Sequence, residues 1–420
     1  MNVKKEQPVS GQRWRDPFVI VLALAFLLRL AWALAVPVKP VSDGAAYDLF
    51  AQHLAKGLGY CWTPGIPTGN YPVGTSFIYS LFYRAFGVSY LPIVIFNLLI
   101  SLGIIWLSMV LAQRWFNRKV AVFAGVLSAL WPVQIEFTSV LASELIFIVL
   151  LLALLTIWES RRFNPWVKAV LVGLACAALC YIRPVALLLP ALLCGIRELR
   201  IRRIAMPLAT TAVTYFVMAL AIAPWAIRNT RIFGHLEIIS TNGGQNFWMG
   251  NNPTGNGETE EPPPEAYKLQ EGDRDLYLTH IANAYIHQYP GQFVVRTVKK
   301  LFWLHDHETI GVHWNAPSLE SAYGARTVWW LKLISDLYWW VVLALALGGA
   351  WILIVQRGVV RAFTHAPVII LWMYFAGVHA VIVVQDRYHM PCIPFIGMLA
   401  AVALVAIREK VPRLRAMPTL

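Results

Sequence analysis

Charge is scarce in this 420-residue chain. Charged residues make up 14% of it, against roughly a quarter in ordinary soluble domains. That shortage excludes a water-soluble globule. Acids are scarcer still, 22 Asp and Glu against 35 Lys and Arg, for a formal charge of +13. The basic residues stand in short clusters between apolar runs rather than in one patch. Membrane topology therefore accounts for them, and nucleic-acid binding is not implied. Cysteine is also sparse: Cys61, Cys176, Cys180, Cys194 and Cys392 form no CxxC pair or zinc spacing. All but Cys61 sit in apolar runs, which points to packing rather than a disulfide framework. An internal repeat of the kind many transporters carry is missing as well.

Apolar sequence is what the chain has in abundance. Hydrophobic residues reach 58%, and 18 tryptophans suit anchoring at two membrane interfaces. At about 20 residues per span, ten candidate helices follow: 17–36, 91–112, 120–136, 140–158, 166–182, 184–196, 205–226, 331–355, 366–384 and 389–407. The first is too long for a cleaved signal and more follow, so it stays as a membrane helix. With the N-terminus in the cytoplasm, every inner segment is basic. These segments carry Lys4, Lys5, Arg13 and Arg15; Arg114, Arg118 and Lys119; and Arg161, Arg162 and Lys168. Further along they carry Arg197, Arg200, Arg202 and Arg203; Arg357 and Arg361; and Arg408, Lys410, Arg413 and Arg415. Most acids fall on the outer side, among them Asp43, Asp48, Glu136, Glu144, Asp386 and the Glu258–Glu265 cluster. The expected division is a cytoplasmic N-terminus (1–16), seven membrane helices (17–226), a large outer loop (227–330), three more helices (331–407) and a cytoplasmic tail (408–420).

Two outer segments are long. In the first, 37–90, Asp43–Leu58 has helical character, with Ser42 or Asp43 as N-cap and Gly57 or Gly59 as stop. A Gly/Pro-rich stretch to Gly74 and a second apolar helix, Thr75–Phe86, follow. Two interfacial helices after an acid are more than a connector needs. In the second, STNGGQNFWMGNNPTGNG predicts irregular backbone rich in turns. An acidic, proline-rich loop (Glu258–Glu265) and two amphipathic helices, Asp273–Tyr289 and Gln292–Leu304, come next.

The candidate chemistry lies along the outer face. Asp43 follows the first span, where a carboxylate is either a helix cap or a reactive group. Glu144 lies at the outer end of the fourth span, in surroundings where an unpaired carboxylate is costly. Glu136 reads as ordinary solvated charge. Arg183, Arg228 and Arg387 are the cationic counterparts and candidates to bind a donor phosphate. Snorkelling is the plainer explanation of each, but the convergence of Arg183 and Arg387 with nearby acids on one side argues against it for those two. Tyr47, one turn after Asp43, and Tyr388, beside Arg387, are placed to orient their neighbours or to serve in an aromatic belt. Asn242 and Asn246 either line a pocket or form turns. Arg29 pairs or snorkels within the bundle. His305, Asp306, His307, Glu308 and His313 lack the spacing of a metal site and read as a polar loop end. A carboxylate beside arginines at an interface suits a phosphorylated lipid substrate, because Arg binds phosphate with a bidentate fork. In glycosyl transfer a phosphate leaving group needs charge stabilisation rather than a general acid, so one carboxylate suffices as base.

Several stretches carry a family resemblance, in order along most of the chain. They are LLRLAW, SDGAAYDLFAQHLAKGLGY with YPVGTSFIYSLFYRAFG, LASELIF, YIRPVALLLP, PWAIRN and DRYHMPCIPF. The chain resembles the membrane glycosyltransferases of the GT-C superfamily, in the group of bacterial protein O-mannosyltransferases and lipid A aminoarabinose transferases (glycosyltransferase family 39-like). The resemblance implies an all-α GT-C fold in the bacterial inner membrane, with the site facing the periplasm or exterior. It also implies a polyprenyl-phosphate sugar donor, a lipid, glycan or protein acceptor, and inversion at the anomeric carbon. Asp43 is then the catalytic base, and Arg183 and Arg387 lie near the donor phosphate, with no obligatory cofactor and a divalent cation left open. Several relatives place two acids in tandem where this chain has Asp43 followed by Gly44, and some carry a large soluble C-terminal domain that this chain lacks. A transporter or flippase of a lipid-linked sugar is the alternative, and a lipid-binding scaffold a third reading. The transporter would place charges deep in several spans, whereas here they gather at one face.

Overall fold

The computed structural model describes residues 16–201, 204–253, 255, 257 and 260–409. The expected cytoplasmic N-terminus, most of the C-terminal tail, Arg202, Arg203 and Glu258 fall outside the described residues. The chain is almost wholly helical. Helix α1 (Pro17–Ala35) starts on Asp16, whose carboxylate accepts from the Phe18 N–H at 2.9 Å, with Pro17 in the first turn. Then come α2 (Asp43–Ala55), a two-strand hairpin of β1 (Cys61–Thr63) and β2 (Ile66–Pro67), and α3 (Val73–Phe86). The bundle continues with α4 (Leu91–Trp115), α5 (Arg118–Leu130), α6 (Pro132–Glu136), α7 (Glu144–Trp158), α8 (Pro165–Ile182), α9 (Leu189–Ile201) and α10 (Ala205–Phe233). Four helices fill the stretch expected as the large loop: α11 (Gly243–Gly250), α12 (Glu271–Gln288), α13 (Pro290–Trp303) and α14 (Ile310–Tyr323). The chain closes with α15 (Ala325–Arg357), α16 (Val359–Thr364), α17 (Val368–Val381), a 3₁₀ turn (Asp386–Cys392) and α18 (Ile393–Arg408).

Helix α18 is the axis. Every residue from Ile393 to Ala403 is buried, as expected for a helix apolar on all sides. It packs against α15 and α5, while α10 packs on α8 and α7 on α4. Among the described residues six helices are long and apolar enough to cross a membrane: α1, α4, α8, α10, α15 and the run Asp386–Arg408. A seventh is α5 together with Pro132–Ser139, bent by 60°. The expected spans 140–158 and 366–384 appear as shorter apolar helices of 15 and 14 residues. The expected span 184–196 is α9, with 13 residues and a polar end. By length and composition alone, six or seven of the described helices qualify, against ten expected from the sequence.

The bend after α5 has a specific cause. Pro132 has no N–H, so the carbonyl four residues earlier, on Ser128, loses its helical partner. Buried Arg29 takes its place. The guanidinium donates to Ser128 O (3.1 Å), Ala129 O (3.0 Å) and Ala25 O (3.3 Å), and also to the Ser101 hydroxyl. Arg29 is thus a backbone cap inside the bundle, in line with the expectation that it pairs there.

Two expectations are corrected. Glu136 is buried, 2% exposed, rather than solvated, because α14 and α15 cover it. Ser335 donates to its carboxylate at 3.1 Å, and the Asn315 amide donates to its backbone carbonyl at 3.1 Å. Within the stretch predicted to be irregular, Gly243–Gly250 forms α11 instead. Gly-Gly-Gln-Asn has poor helical propensity, yet Asp275 on α12 supplies a cap, accepting from Gly244 N at 2.7 Å and Gln245 N at 3.1 Å. A side chain at position 244 would collide with the Asp275 carbonyl, a Cβ lying 2.0 Å away, so only glycine allows that approach.

Arg29→Met should lower the thermal stability of the detergent-solubilised protein by on the order of 3 kcal/mol, since it strands buried carbonyls; Arg29→Lys should restore part of this. Burial raises the Asp275 carboxyl to about 6 even though the two N–H groups act in the other direction. Its unfolded value is about 3.9. The stability this group contributes is therefore full below about pH 4 and is lost as pH rises through about 6. Thermal unfolding followed across pH 4–7 should show that decline in the wild type, with a flatter profile for Asp275→Asn.

Candidate active site

Four charged residues expected to matter meet at one end of the bundle, each at a helix terminus. Asp43 opens α2, Glu144 opens α7, Arg183 caps the C-terminus of α8, and Arg387 lies in the 3₁₀ turn between α17 and α18. They form two acid–arginine pairs. Arg387 Nη1 donates to Asp43 Oδ2 at 2.5 Å, and Arg183 Nη1 donates to Glu144 Oε1 at 2.9 Å. Glu144 is the most deeply buried, its side chain 1% exposed, against 11–17% for the other three. A carboxylate at a helix N-terminus is also favoured by the macrodipole.

The Tyr388 ring joins the two pairs. The Arg183 guanidinium lies 5.4 Å and that of Arg387 5.0 Å from its centroid, both within cation–π range. His379 on α17 stacks on the same ring at 4.4 Å. Trp314 on α14 covers the Arg387 guanidinium at 5.1 Å. Arg387 also donates through Nε to the Gln385 amide oxygen (2.7 Å) and through Nη2 to the Tyr388 hydroxyl (3.3 Å). Three of its five N–H donors are thus engaged within the described residues. Arg183 has one donor engaged there, to Glu144, and is the more available cation. A cavity of about 460 Å³ opens beside this cluster, lined by Ser42, Arg387, Gln385, Trp314, His313 and Glu320 among others.

Local backbone explains how Asp43 is presented. Ser42 has φ 50° and is the one non-glycine residue with positive φ among the described residues. Strain of this kind gathers at functional sites. Ser42 makes no side-chain cap, and Asp43 turns its carboxylate to Arg387 and to Tyr71, whose hydroxyl donates to Oδ1 at 3.1 Å. Gly44 packs on the Leu141 carbonyl, where a Cβ would come within 2.8 Å. An acidic side chain at position 44 therefore has no room. Tyr71 is held in turn, because its carbonyl accepts from the Tyr60 hydroxyl at 2.9 Å and its ring meets that of Tyr47 edge-on at 5.5 Å. Burial and the nearby Asp43 charge push the Tyr71 hydroxyl up from its ordinary pKa, so it stays a donor.

Sequence reasoning missed Tyr71, Trp314, His379 and Gln385, since aromatic and amide residues in apolar surroundings carry no signal of their own. Tyr47 and Tyr388 do neighbour the acids and arginines. Arg228 has a different set of partners: it donates to Thr68 O (2.6 Å), Tyr60 O (3.2 Å) and the Asn229 side chain (2.8 Å), fastening the β1–β2 hairpin to α10. Asn242 precedes α11 and accepts from the Ser240 hydroxyl at 2.9 Å, and Asn246 lies on α11. No hydrogen bond joins either asparagine to the Asp43 cluster among the described residues.

The HDHE stretch clamps the Arg387 turn. His305 donates through Nδ1 to Leu301 O (2.8 Å) and accepts at Nε2 from Trp372 (2.9 Å), and burial lowers it to about 4, so it is neutral with both nitrogens committed. His389 donates through Nδ1 to Leu304 O at 2.7 Å, which leaves a proton shared between its Nε2 and Glu308 Oε1, 3.1 Å apart. Burial holds the Glu308 carboxyl well above the usual range while Trp131 donates to it at 2.8 Å. Thr309 N donates to Asp386 at 2.9 Å, completing the clamp. Among the described residues no group of three or more His, Cys, Asp or Glu stands together as a metal donor set.

The helical fold that carries this arrangement is similar to that of solved GT-C proteins. Among solved structures it is similar to ArnT from Cupriavidus metallidurans bound to undecaprenyl phosphate, with a TM-score of 0.55 and 14% identity over 94% of this chain and 61% of that one. It is likewise similar to the Archaeoglobus fulgidus oligosaccharyltransferase in complex with Zn and sulfate, with a TM-score of 0.55 and 13% identity over 94% of this chain and 49% of that one. A third neighbour is AglB from the same archaeon, with an inhibitory peptide and a dolichol-phosphate, at a TM-score of 0.54 and 12% identity over 95% of this chain and 51% of that one. The chain thus spans about half to three fifths of these neighbours' length, and at such identities the likeness is one of fold. No protein-family model matches the chain, and no curated protein matches it.

Replacing Asp43 by Ala should destabilise the protein by roughly 2 kcal/mol, because the buried Arg387 loses its partner, and the double change with Arg387→Met should recover most of that loss. Thermal unfolding of the four proteins of the cycle gives the coupling directly, and additive losses would contradict the pairing.

Proposed function

We propose that this protein is a glycosyltransferase of the bacterial inner membrane that moves a sugar from a polyprenyl-phosphate donor to a lipid, glycan or protein acceptor. The observation that carries this reading is the pair of guanidiniums, Arg183 and Arg387, set around one Tyr388 ring with Asp43 bonded to the second of them. Fold neighbours that hold undecaprenyl phosphate or dolichol-phosphate support a lipid-phosphate donor. The positive-inside pattern supports both termini in the cytoplasm and a site on the opposite face.

In this reading Asp43 takes the proton from an acceptor hydroxyl or amine as that atom attacks the anomeric carbon. The bond from that carbon to the phosphate oxygen breaks, and the polyprenyl phosphate leaves with the electron pair. A single displacement inverts the anomeric centre. Arg183 and the two N–H groups of Arg387 that have no partner among the described residues stabilise the charge on the departing phosphate. Glu144 fixes the Arg183 fork, while Tyr71 and Tyr47 steady the base. Arg228 holds the Tyr60 carbonyl, and the Tyr60 hydroxyl holds that of Tyr71 in the loop before α3. Near Asp43 a divalent cation would meet one carboxylate already shared by Arg387 and Tyr71. That donor set does not fit a metal, and the arginines are therefore given the charge-stabilising role.

Purified protein incubated with a radiolabelled polyprenyl-phosphate sugar and membrane extract should release polyprenyl phosphate and label a new product. Asp43→Asn should fold normally and lower the rate by roughly 10²–10⁴-fold, the range for loss of a general base. Arg183→Gln should lower it by roughly 10²–10³-fold. Full transfer by the Asp43→Asn protein would sink this mechanism. Donor binding without product from any of the three proteins would favour movement of the lipid-linked sugar instead.

A further inference from the structure

Helices α12 and α13 follow one another in the chain and both read as amphipathic, but the fold turns their faces in different directions. Outward from α12 stand mostly polar side chains, Asp273, His280, Asn283, His287 and Gln288 among them, as on a helix in water. On α13 the outward residues include Val294, Val295, Val298, Leu301 and Phe302. They are between 38% and 72% exposed and form one stripe at helical spacing. Two of its cations point the other way. Lys300 is fully buried and donates to Gly250 O (3.1 Å), Val381 O (3.3 Å) and Ile382 O (3.3 Å). Arg296 donates to Asn252 O at 2.6 Å and covers the Tyr285 ring at 5.0 Å. The polar face of α13 is thus spent on the protein, and an apolar face remains outside.

Such a stripe is unfavourable in water and marks a surface that something apolar covers. Two features name the cover. First, the stripe continues an exposed apolar surface of the bundle. α13 packs on the apolar α17, and just beyond its end Asp306 O accepts from Trp340 Nε1 at 2.7 Å. Trp340 is itself exposed, with Leu337 and Val341, on α15, a helix long and apolar enough to cross a membrane. Second, the charge fits. Residues 290–303 include Arg296, Lys299 and Lys300 and no acid. Exposed Lys299 borders the stripe, where its long stem lets the ammonium meet lipid phosphates. We infer that α13 lies in the surface layer of the bilayer, its apolar stripe against the acyl chains, while α12 faces water. Leu304, directly after α13, accepts from His389 Nδ1 at 2.7 Å, two positions from Arg387. The same helix therefore fixes the level at which the Arg387 turn stands. This placement does not depend on reading that turn as part of a transferase.

The test uses the full-length protein in nanodiscs of phosphatidylglycerol and phosphatidylcholine. A nitroxide is attached through Val298→Cys on α13 or through His280→Cys on α12, both exposed positions, and the unsubstituted protein gives the background of the native cysteines. Collision rates with oxygen, which concentrates among acyl chains, and with a water-soluble nickel chelate are read by electron paramagnetic resonance. On α13 oxygen should dominate, and on α12 the nickel chelate should, so that the ratio reverses between the two helices. Val295→Cys, one turn away on the same stripe, should repeat the α13 result and keeps the test open should one labelled protein fail to fold. Nickel collisions on α13 as frequent as on α12 would put the stripe in water and overturn the placement. Low rates with both reagents would mean that a protein, or a second copy of this chain, covers the stripe, and would overturn it equally. The readout is a position relative to lipid, so it stands apart from any result on sugar transfer.

Discussion

A helix that ends within a bundle leaves carbonyls and N–H groups without partners, and where there is no water those groups must be satisfied by the protein itself. That constraint organises this molecule. The carbonyl freed by Pro132 is capped by Arg29, and the buried link between α6 and α7 is held by Asn97 and Tyr79, which bond to the backbone of Thr138, Val140 and Ala142. Lys300 gathers the carbonyls of Gly250, Val381 and Ile382 where α11 and α17 stop. The 3₁₀ turn that carries Arg387 is tied to Leu304, Glu308 and Thr309. Each repair spends polar side chains at a break. Reactive groups stand at the same breaks, because a helix end can aim a side chain into open space.

The candidate site follows the same economy of charge. Two acids and two arginines meet in aromatic surroundings of low dielectric, where an unmatched charge would be expensive, and they appear as two pairs around Tyr388. Among the described residues the pairing leaves guanidinium donors to spare on both arginines, so the cluster is electrically balanced and still able to receive an anion. The strained Ser42 and the close seat of Gly44 on Leu141 set the carboxylate of Asp43 at the edge of that cluster and not deeper.

Much of this was legible from residue type alone, and the misses share a cause. Asp43, Glu144, Arg183 and Arg387 stand out because charge is rare in this chain and costly beside apolar runs. Tyr71 and Trp314 do not stand out, since a chain so rich in aromatic rings offers no reason to prefer these two. Glu136 reads as solvated from its place at the end of an apolar run, and only the arrival of α14 and α15 buries it. The Gly-Gly-Gln-Asn segment reads as loop because its helix depends on a carboxylate contributed by α12, more than thirty positions away.

The sequence by itself determined the class of molecule: apolar runs spaced by basic clusters, a rare acid after the first of them, and matched segments in an order that resembles one superfamily. Those features are local, being set by the hydropathy and charge of neighbouring residues. Which acid meets which arginine was decided only by tertiary structure. Asp43 and Arg387 lie at opposite ends of the chain, and their approach depends on the packing of α18 at the centre of the bundle and on the clamp from Leu304 to Thr309. Long-range contacts of this kind leave no periodicity in the chain. They arise because buried charges and broken backbones must find partners somewhere, and the fold decides where.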